Sequence, residues 1–468
     1  MISKKLAAEV INVASSTGAD FVVIFAENSF NTYLEVENGK VEETRNSNIS
    51  GVGLRILKGT RSVYGSTGDL SRKSLLELAK ELSASFEGAR EIEEVKSFKE
   101  KKFKNINKPF TPLASVPIED KVALLKKVNA VLSSHDPRIV KSTTAMIIRT
   151  NENEIFNSKG LLVKNFREYG RFIIESVASE NGKIETRFDG PASQGGWEHF
   201  TKTLDLQALA KENAEKVIMM LQAKEAPSGK FPVIIGNGWG GVIFHEACGH
   251  QLEATSVAKG MSVFSGKKGT QIANTIVSAY DDPTLPNEWG SFNVDDEGNQ
   301  PVKHELIKDG ILTGYLIDDF NGRRMNEPGN GASRRQSYKY EPTSRMSNTY
   351  IAPGKSTPEE IIKNTKLALY AVSFGGGSVN PATGEFNFGC SEAYIVKDGK
   401  ITEPVRGATL VGNARDILMH IDMVGNDLEL GQGMCGSASG SIPVNVGQPT
   451  IRVDEIIVGG RGGSIYEF

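Results

Sequence analysis

The sequence predicts an α+β protein in which N-terminal α/β modules precede a β-rich C-terminal domain, antiparallel or barrel-like, that carries one metal-site helix. Three observations lead there. Up to about residue 228, helical apolar spacing alternates with strand-like runs. After Phe231, short apolar runs are separated by turns such as Lys308-Asp309-Gly310 and Lys397-Asp398-Gly399-Lys400, which is hairpin patterning. Between the two regimes stands His245-Glu246-Ala247-Cys248-Gly249-His250, two imidazoles and a carboxylate within one short stretch.

Taken in order, Leu6, Val10, Ile11 and Val13 place a helix over residues 3–17. Strand-like runs follow at Phe21–Phe25, Tyr33–Val36 and Ser50–Ile56. Leu76, Leu78 and Leu82 mark a helix around residues 71–85. Residues 88–112, charged and then rich in Pro, Lys and Asn, read as a connector or edge segment that ends a first unit, 1–112. A second unit, 113–228, opens with a helix from Pro117 to Leu132, continues through strands at Ala145–Thr150 and Phe172–Val177, and closes with a helix near 205–221. Ala226-Pro227-Ser228-Gly229 marks its end. In the third unit, 229–468, the strand Pro232–Ile235 leads into the histidine motif, and Pro358, Glu359 and Glu360 open a helix near 357–370.

Composition narrows the function. A net charge of -3 supplies no basic field, so nucleic acid is not an expected partner. The 3 cysteines are too few for a disulfide framework and suit a reducing compartment. Glu9 and Asn12 interrupt the first apolar run, and no apolar stretch approaches the roughly 18 residues of a membrane span. Neither a signal peptide nor membrane insertion is expected.

The histidine motif holds the chemistry. Two neutral imidazole nitrogens are ligands for Zn²⁺, and one carboxylate can take the proton of the water that the metal activates. In the common H-E-x-x-H arrangement the ligands stand at i and i+4, on one helix face. His250 stands instead at i+5 from His245, about 140° round a regular helix. Both rings can face one metal only where the helix is distorted. A π-bulge is the obvious device, a broken turn close to Gly249 the other, with Gly249 as the place where the backbone yields most easily. As plain core residues, two histidines and a glutamate in so apolar a stretch would be costly without a ligand or partner.

Rival motifs are weaker. Gly236-Asn237-Gly238-Trp239-Gly240-Gly241 fits a dinucleotide fingerprint, but residues 251–268 supply no second strand ending in an acid. Close backbone approach, to the helix or to a peptide beside it, is a better use for these glycines. Asn293-Val294-Asp295-Asp296-Glu297-Gly298 imitates the start of a calcium loop, yet its twelfth position is His304, so a surface turn is expected. No G-x-S-x-G elbow exists. Cys390 lacks a histidine near it in sequence and reads as a small buried residue.

A catalytic zinc site takes three protein ligands and leaves one position open. By spacing, the third ligand is to be sought among Glu253, Cys248, Cys390 and Cys435. The soft sulfur of Cys435, in the flexible stretch Gly431-Gln432-Gly433-Met434-Cys435-Gly436, ranks first on chemistry without excluding the others.

Several ordered stretches carry a family resemblance: Gly238–Val242 running into the histidine motif, Ser262–Gly266, Asp295–Gly298, Pro342–Tyr350, Phe374–Gly377, Met423–Asp427, Cys435-Gly436 and Val446–Thr450. With these the chain resembles the TldD/PmbA family of metallopeptidases, and within it the TldD branch. The resemblance implies a zinc site on His245, His250 and Cys435, with Glu246 as general base. It implies unfolded or short peptides as substrates, a cytoplasmic location, and a heterodimer with a PmbA/TldE-like paralogue, or a homodimer. The resulting expectation is a zinc-dependent peptidase. The alternative is a regulatory or peptide-binding protein whose zinc is structural, with Cys248 or a carboxylate closing a four-ligand site.

Overall fold

In the computed structural model, which describes residues 1–109, 111–380 and 383–468, one eight-stranded sheet runs through both N-terminal units. Its spine is three long antiparallel strands, Phe21–Glu37, Ile139–Asn157 and Leu161–Glu180, flanked by Lys40–Lys58. The sequence reading breaks the first of these in two, at the polar stretch Asn28–Thr32. That stretch nevertheless pairs in register with both neighbours. Its polarity is satisfied within and across the strands: Ser29 Oγ donates to Glu27 Oε1 at 2.6 Å on the same strand, and Asn151 Nδ2 on the neighbouring strand donates to Glu27 Oε1 at 2.8 Å.

Alternation along the strand then sorts the two faces. Val22, Ile24 and Ala26 pack with the helices Lys4–Ala14 and Arg72–Ser83, while Leu34 and Val36 pack with Ile118–His135 and Leu206–Gln222. Val23 and Phe25 point the other way, onto Val294 and Tyr338 of the C-terminal unit. The sheet is therefore covered on one face by helices and on the other by the domain that carries the histidine motif.

In that domain Gly229–Ile235, Ile451–Gly459, Thr409–Asn413, Glu385–Lys397 and Leu367–Val379 pair in succession, and the last pairs with the first, closing a barrel. A six-stranded sheet ends in the antiparallel pair Glu429–Ser437 and Gly440–Gln448, the cysteine hairpin. The largest apolar cluster joins barrel residues such as Val233, Leu369 and Val453 to Ile243, Phe244, Ala247, Cys248 and Leu252 around the motif.

Two expectations are corrected here. The helix expected over 357–370 spans only Pro358–Lys363. Thr357 and Glu360 form a capping box at its start, but Asn364 ends it and Leu367 already begins a strand buried in the barrel. The segment Asp295–Gly298 is not a surface turn. Asp295, Asp296 and Glu297 are buried against the N-terminal sheet, where Arg167 Nη2 stands 2.9 Å from Asp296 Oδ1 and Arg55 Nη1 2.7 Å from Glu297 Oε1. Acidic residues read as solvent-facing by default; the partner arginines, far away in sequence, make the burial of Asp296 and Glu297 tolerable, while Asp295 accepts from the backbone N–H groups of Glu297 and Asn299.

Candidate metal centre

The glycine run ahead of the motif serves close packing. A Cβ at Gly241 would stand 2.5 Å from Gly447 N in the cysteine hairpin, and one at Gly240 2.9 Å from Gln448 Nε2. Trp239 lies against Gly431 and Gly433 on the neighbouring strand and donates from Nε1 to Phe374 O at 3.1 Å. These contacts dock the turn Gly238–Gly241, and the helix Val242–Ala247 that follows it, onto the cysteine hairpin.

The helix is irregular, as the i+5 spacing requires: of the two expected devices it takes the broken turn close to Gly249 and not the π-bulge. It ends at Ala247; Cys248 adopts φ -111°, ψ -50°, and Gly249–Leu252 continues as a tighter 3-10 turn. Cys248 N–H still donates to Phe244 O, four residues back, whereas Gln251 N–H donates to Cys248 O, three back. The change of pitch turns the two imidazoles toward one another, with ring centroids 5.1 Å apart. Gly249 is not a hinge: its φ lies outside the left-handed region. A side chain there would overlap Met346 Sδ and stand 3.0 Å from Met346 Cε, so glycine is needed for space.

Cys435, on the strand Glu429–Ser437, completes the group. Its Sγ lies 3.2 Å from His245 Nε2 and 3.1 Å from His250 Nε2, and the three potential ligand atoms all fall within 4.8 Å of one another. Burial opposes the thiolate, but the adjacent His245 and His250 imidazoles outweigh it and hold the Cys435 pKa well below the ordinary thiol range. His250 is shifted the opposite way: burial opposes its charge, yet Glu253 and Cys435 raise its pKa well above the usual value. One thiolate between two imidazoles is a donor set suited to Zn²⁺. On a tetrahedral zinc, sulfur and nitrogen would stand about 3.6 Å apart, so a few tenths of an ångström of outward movement would accommodate the ion.

The other candidates are placed elsewhere. Glu246 Oε2 lies 3.7 Å from His250 Nε2, with 29% of its side chain exposed, so the carboxylate borders the group and meets solvent. Cys248 is fully buried in the apolar cluster, and burial alone drives its thiol pKa far upward. Burial pushes the Cys390 thiol up to about 12, and Cys390 lies outside the triad. Glu253 is behind His250 rather than among the converging atoms: its Oε2 lies 3.1 Å from Nδ1, the ring nitrogen turned away from Cys435. A carboxylate there fixes the tautomer and orientation of a ligating imidazole. His245 Nδ1, by contrast, is buried without a hydrogen-bond partner among the described residues.

Sequence reasoning missed Arg345. Completely buried, it donates to Cys435 O at 2.5 Å, to Gly440 O at 2.9 Å and to Ser439 Oγ at 2.9 Å, and its Nε stands 3.8 Å from Glu253 Oε1. It thus ties the turn and strand of the cysteine hairpin to the carboxylate that orients His250. The motif Pro342–Tyr350 points to the segment, but nothing in its spacing announces a buried arginine.

Comparison with known proteins gives a consistent family. The models for the PmbA/TldA metallopeptidase domain 1, central domain and C-terminal domain match residues 22–86, 111–221 and 228–460. A "Metalloprotease TldD homolog" of Haemophilus influenzae is 34% identical, over 98% of this chain and 97% of its own. A "Zinc metalloprotease TldD homolog" of Saccharolobus solfataricus is 30% identical over 55% of this chain and 57% of its own. Among solved structures, TldE from Thermococcus kodakarensis superposes with a TM-score of 0.78 at 18% identity, covering 97% of this chain and 100% of that one. A Thermotoga maritima protein described as a candidate modulator of a DNA gyrase superposes equally well, TM-score 0.78 at 22% identity, covering 97% and 99%.

Proposed function

This chain belongs to the PmbA/TldA metallopeptidase family, and we propose that within it the chain is a zinc-dependent peptidase acting on unfolded or short peptides. The observation that carries the reading is the convergence of His245, His250 and Cys435 beside the partly exposed Glu246. His245, His250 and Cys435 would hold the zinc. The bound ion supplies Lewis acidity toward a peptide carbonyl and lowers the pKa of water. Glu246 takes a proton from the attacking water and returns it to the leaving amine, so hydrolysis consumes no proton overall. Glu253 keeps the His250 ring oriented, and Arg345 keeps Cys435 against it. A structural zinc with four protein ligands finds less support, because Cys248 points into apolar core and Glu253 approaches the wrong nitrogen of His250.

The barrel offers a place for an extended substrate. Beyond Ala371, the strand Leu367–Val379 leaves its partner Gly229–Ile235, and among the described residues Gly375–Val379 has a strand neighbour on one side only. Gly375, Gly376 and Gly377 are exposed there, and Trp239 connects the start of this edge, at Phe374, to the cysteine strand. A peptide added to the edge would be held by its backbone, with weak sequence preference and only when unfolded. The family likeness supports pairing with a PmbA/TldE-like paralogue or with a second copy. The three free cysteines support a reducing cytoplasm.

The reading is tested with Glu246→Gln. This variant should keep its metal and fold while hydrolysis of an unfolded polypeptide is lost. Wild-type turnover in the variant would remove Glu246 from the reaction.

A further inference from the structure

We propose that a single small inorganic anion, of the size of chloride, binds in a cavity between the N-terminal sheet and the C-terminal domain, separate from the candidate metal centre. The cavity measures ≈ 20 Å³ and is lined by Arg149 and Arg167 from the sheet and by Arg334, Arg335, Ile442 and Pro443 from the domain. A water-sized particle requires about 10–15 Å³, so the space takes one monatomic ion and excludes a sulfate or a nucleotide phosphate.

Its charge is unbalanced. Glu27 and Asp296 also line the space. Arg149 Nη2 stands 3.2 Å from Glu27 Oε1, and Arg167 Nη2 stands 2.9 Å from Asp296 Oδ1. Arg334 and Arg335 make no ion pair among the described residues, although they are only 2% and 5% exposed. Arg334 donates instead to Met346 O and Pro443 O, each at 2.7 Å, and Arg335 to Asp296 O at 2.9 Å, neutral acceptors in every case. Four guanidinium groups therefore share two carboxylates. Burial draws Arg334 down to about 10; Arg167 and Arg345 add to the shift, and Tyr169 and Asp296 offset it only in part.

Hydrogen bonding agrees with charge. Nε of Arg149, Arg167 and Arg335 is buried without a partner among the described residues. All three are donors with no accepting capacity. The occupant must be an acceptor, and among acceptors a monovalent anion also offsets the surplus charge that a water would leave in place. An ion there would join the sheet to the domain. It would also brace the cysteine hairpin, since Arg334 grips Pro443 and Ile442 is the cross-strand partner of Cys435.

The test uses the full chain, dialysed free of halide into sodium gluconate and titrated with sodium bromide at constant ionic strength. Thermal unfolding should move upward by about 2 °C and saturate, and crystals grown in bromide should show an anomalous peak between the four arginines. Arg334→Met should abolish the bromide-specific increment, whatever its own Tm. Should that variant fail to fold, Arg149→Met, whose side chain is 22% exposed, takes its place. Equal Tm in bromide and gluconate, an increment that survives loss of the arginine, or bromide-grown crystals without a peak in the cavity would each overturn the proposal. A free carboxylate as the true occupant would show as acetate matching bromide, and that too would overturn it.

Discussion

Gly249→Ala should destabilise the protein by about 1–3 kcal/mol, the usual cost of forcing an extra methyl group into a packed interior. The new Cβ would overlap Met346 Sδ and lie 3.0 Å from Cε and 3.6 Å from Cγ. Met346 has little room to retreat. It is fully buried, its N–H donates to Glu253 Oε1 at 3.3 Å, and its carbonyl accepts from Arg334 Nη1 at 2.7 Å. Met346→Ala alone should cost about 2–5 kcal/mol, through lost burial and the space left behind. In the double variant the methyl at 249 enters space that the methionine vacated, so the two effects should fall short of additivity by about 1 kcal/mol or more. Urea denaturation of the four proteins measures the cycle. A neutral Gly249→Ala, or strict additivity, would refute the spatial role of this glycine and restore the view of it as a flexible joint.

Other outcomes follow from the same geometry. Cys435→Ser should lose zinc or bind it far more weakly, whereas Cys248→Ala and Cys390→Ala should retain it, read as metal content after gel filtration. Arg345→Met leaves Cys435 O, Gly440 O and Ser439 Oγ without their donor, so it should cost about 3 kcal/mol or more in denaturation and weaken zinc in a chelator competition. Asp295 is pushed up to about 7, first by burial and then by neighbouring acids such as Asp319, against the hydrogen bonds it accepts from Asn299 and Glu297. Between its ordinary value, about 4, and about 7 the folded state holds the extra proton, so this group's contribution to stability is present below that window and lost as pH rises through it. Asp295→Asn should flatten that part of the stability–pH curve.

Most of this architecture is legible in the sequence where local pattern and burial agree. The helices Lys4–Ala14, Arg72–Ser83, Ile118–His135 and Leu206–Gln222 bury one apolar stripe each, and their spacing gives them away. The strand Phe21–Glu37 is harder, because Glu27 in its middle accepts from Tyr338 N–H of the C-terminal unit and from Asn151 beside it, and a buried polar network looks like a turn until its partners are known. The i+5 histidine spacing requires an irregular helix, yet geometry alone does not choose between a wider turn and a tighter one. The structure takes the tighter turn, at a place where Gly249 packs against Met346, about a hundred residues away in sequence. Spacing likewise leaves several third ligands open; the fold separates them by placing Cys435 between the rings, Glu253 behind one of them and Cys248 in apolar core. Arg345, and the arginines around the interdomain cavity, leave no local signature, since a buried arginine is recognised only by what surrounds it.

The central claim is that His245, His250 and Cys435 hold a catalytic zinc with one position left open. Zinc K-edge X-ray absorption on the purified, metal-loaded protein tests it most directly. The expected first shell is one sulfur at about 2.3 Å and two imidazole nitrogens with one further light atom at about 2.0–2.1 Å, the sulfur disappearing in Cys435→Ser if any metal remains. A shell with two sulfurs, with no sulfur, or with four protein ligands and no exchangeable water would contradict the account.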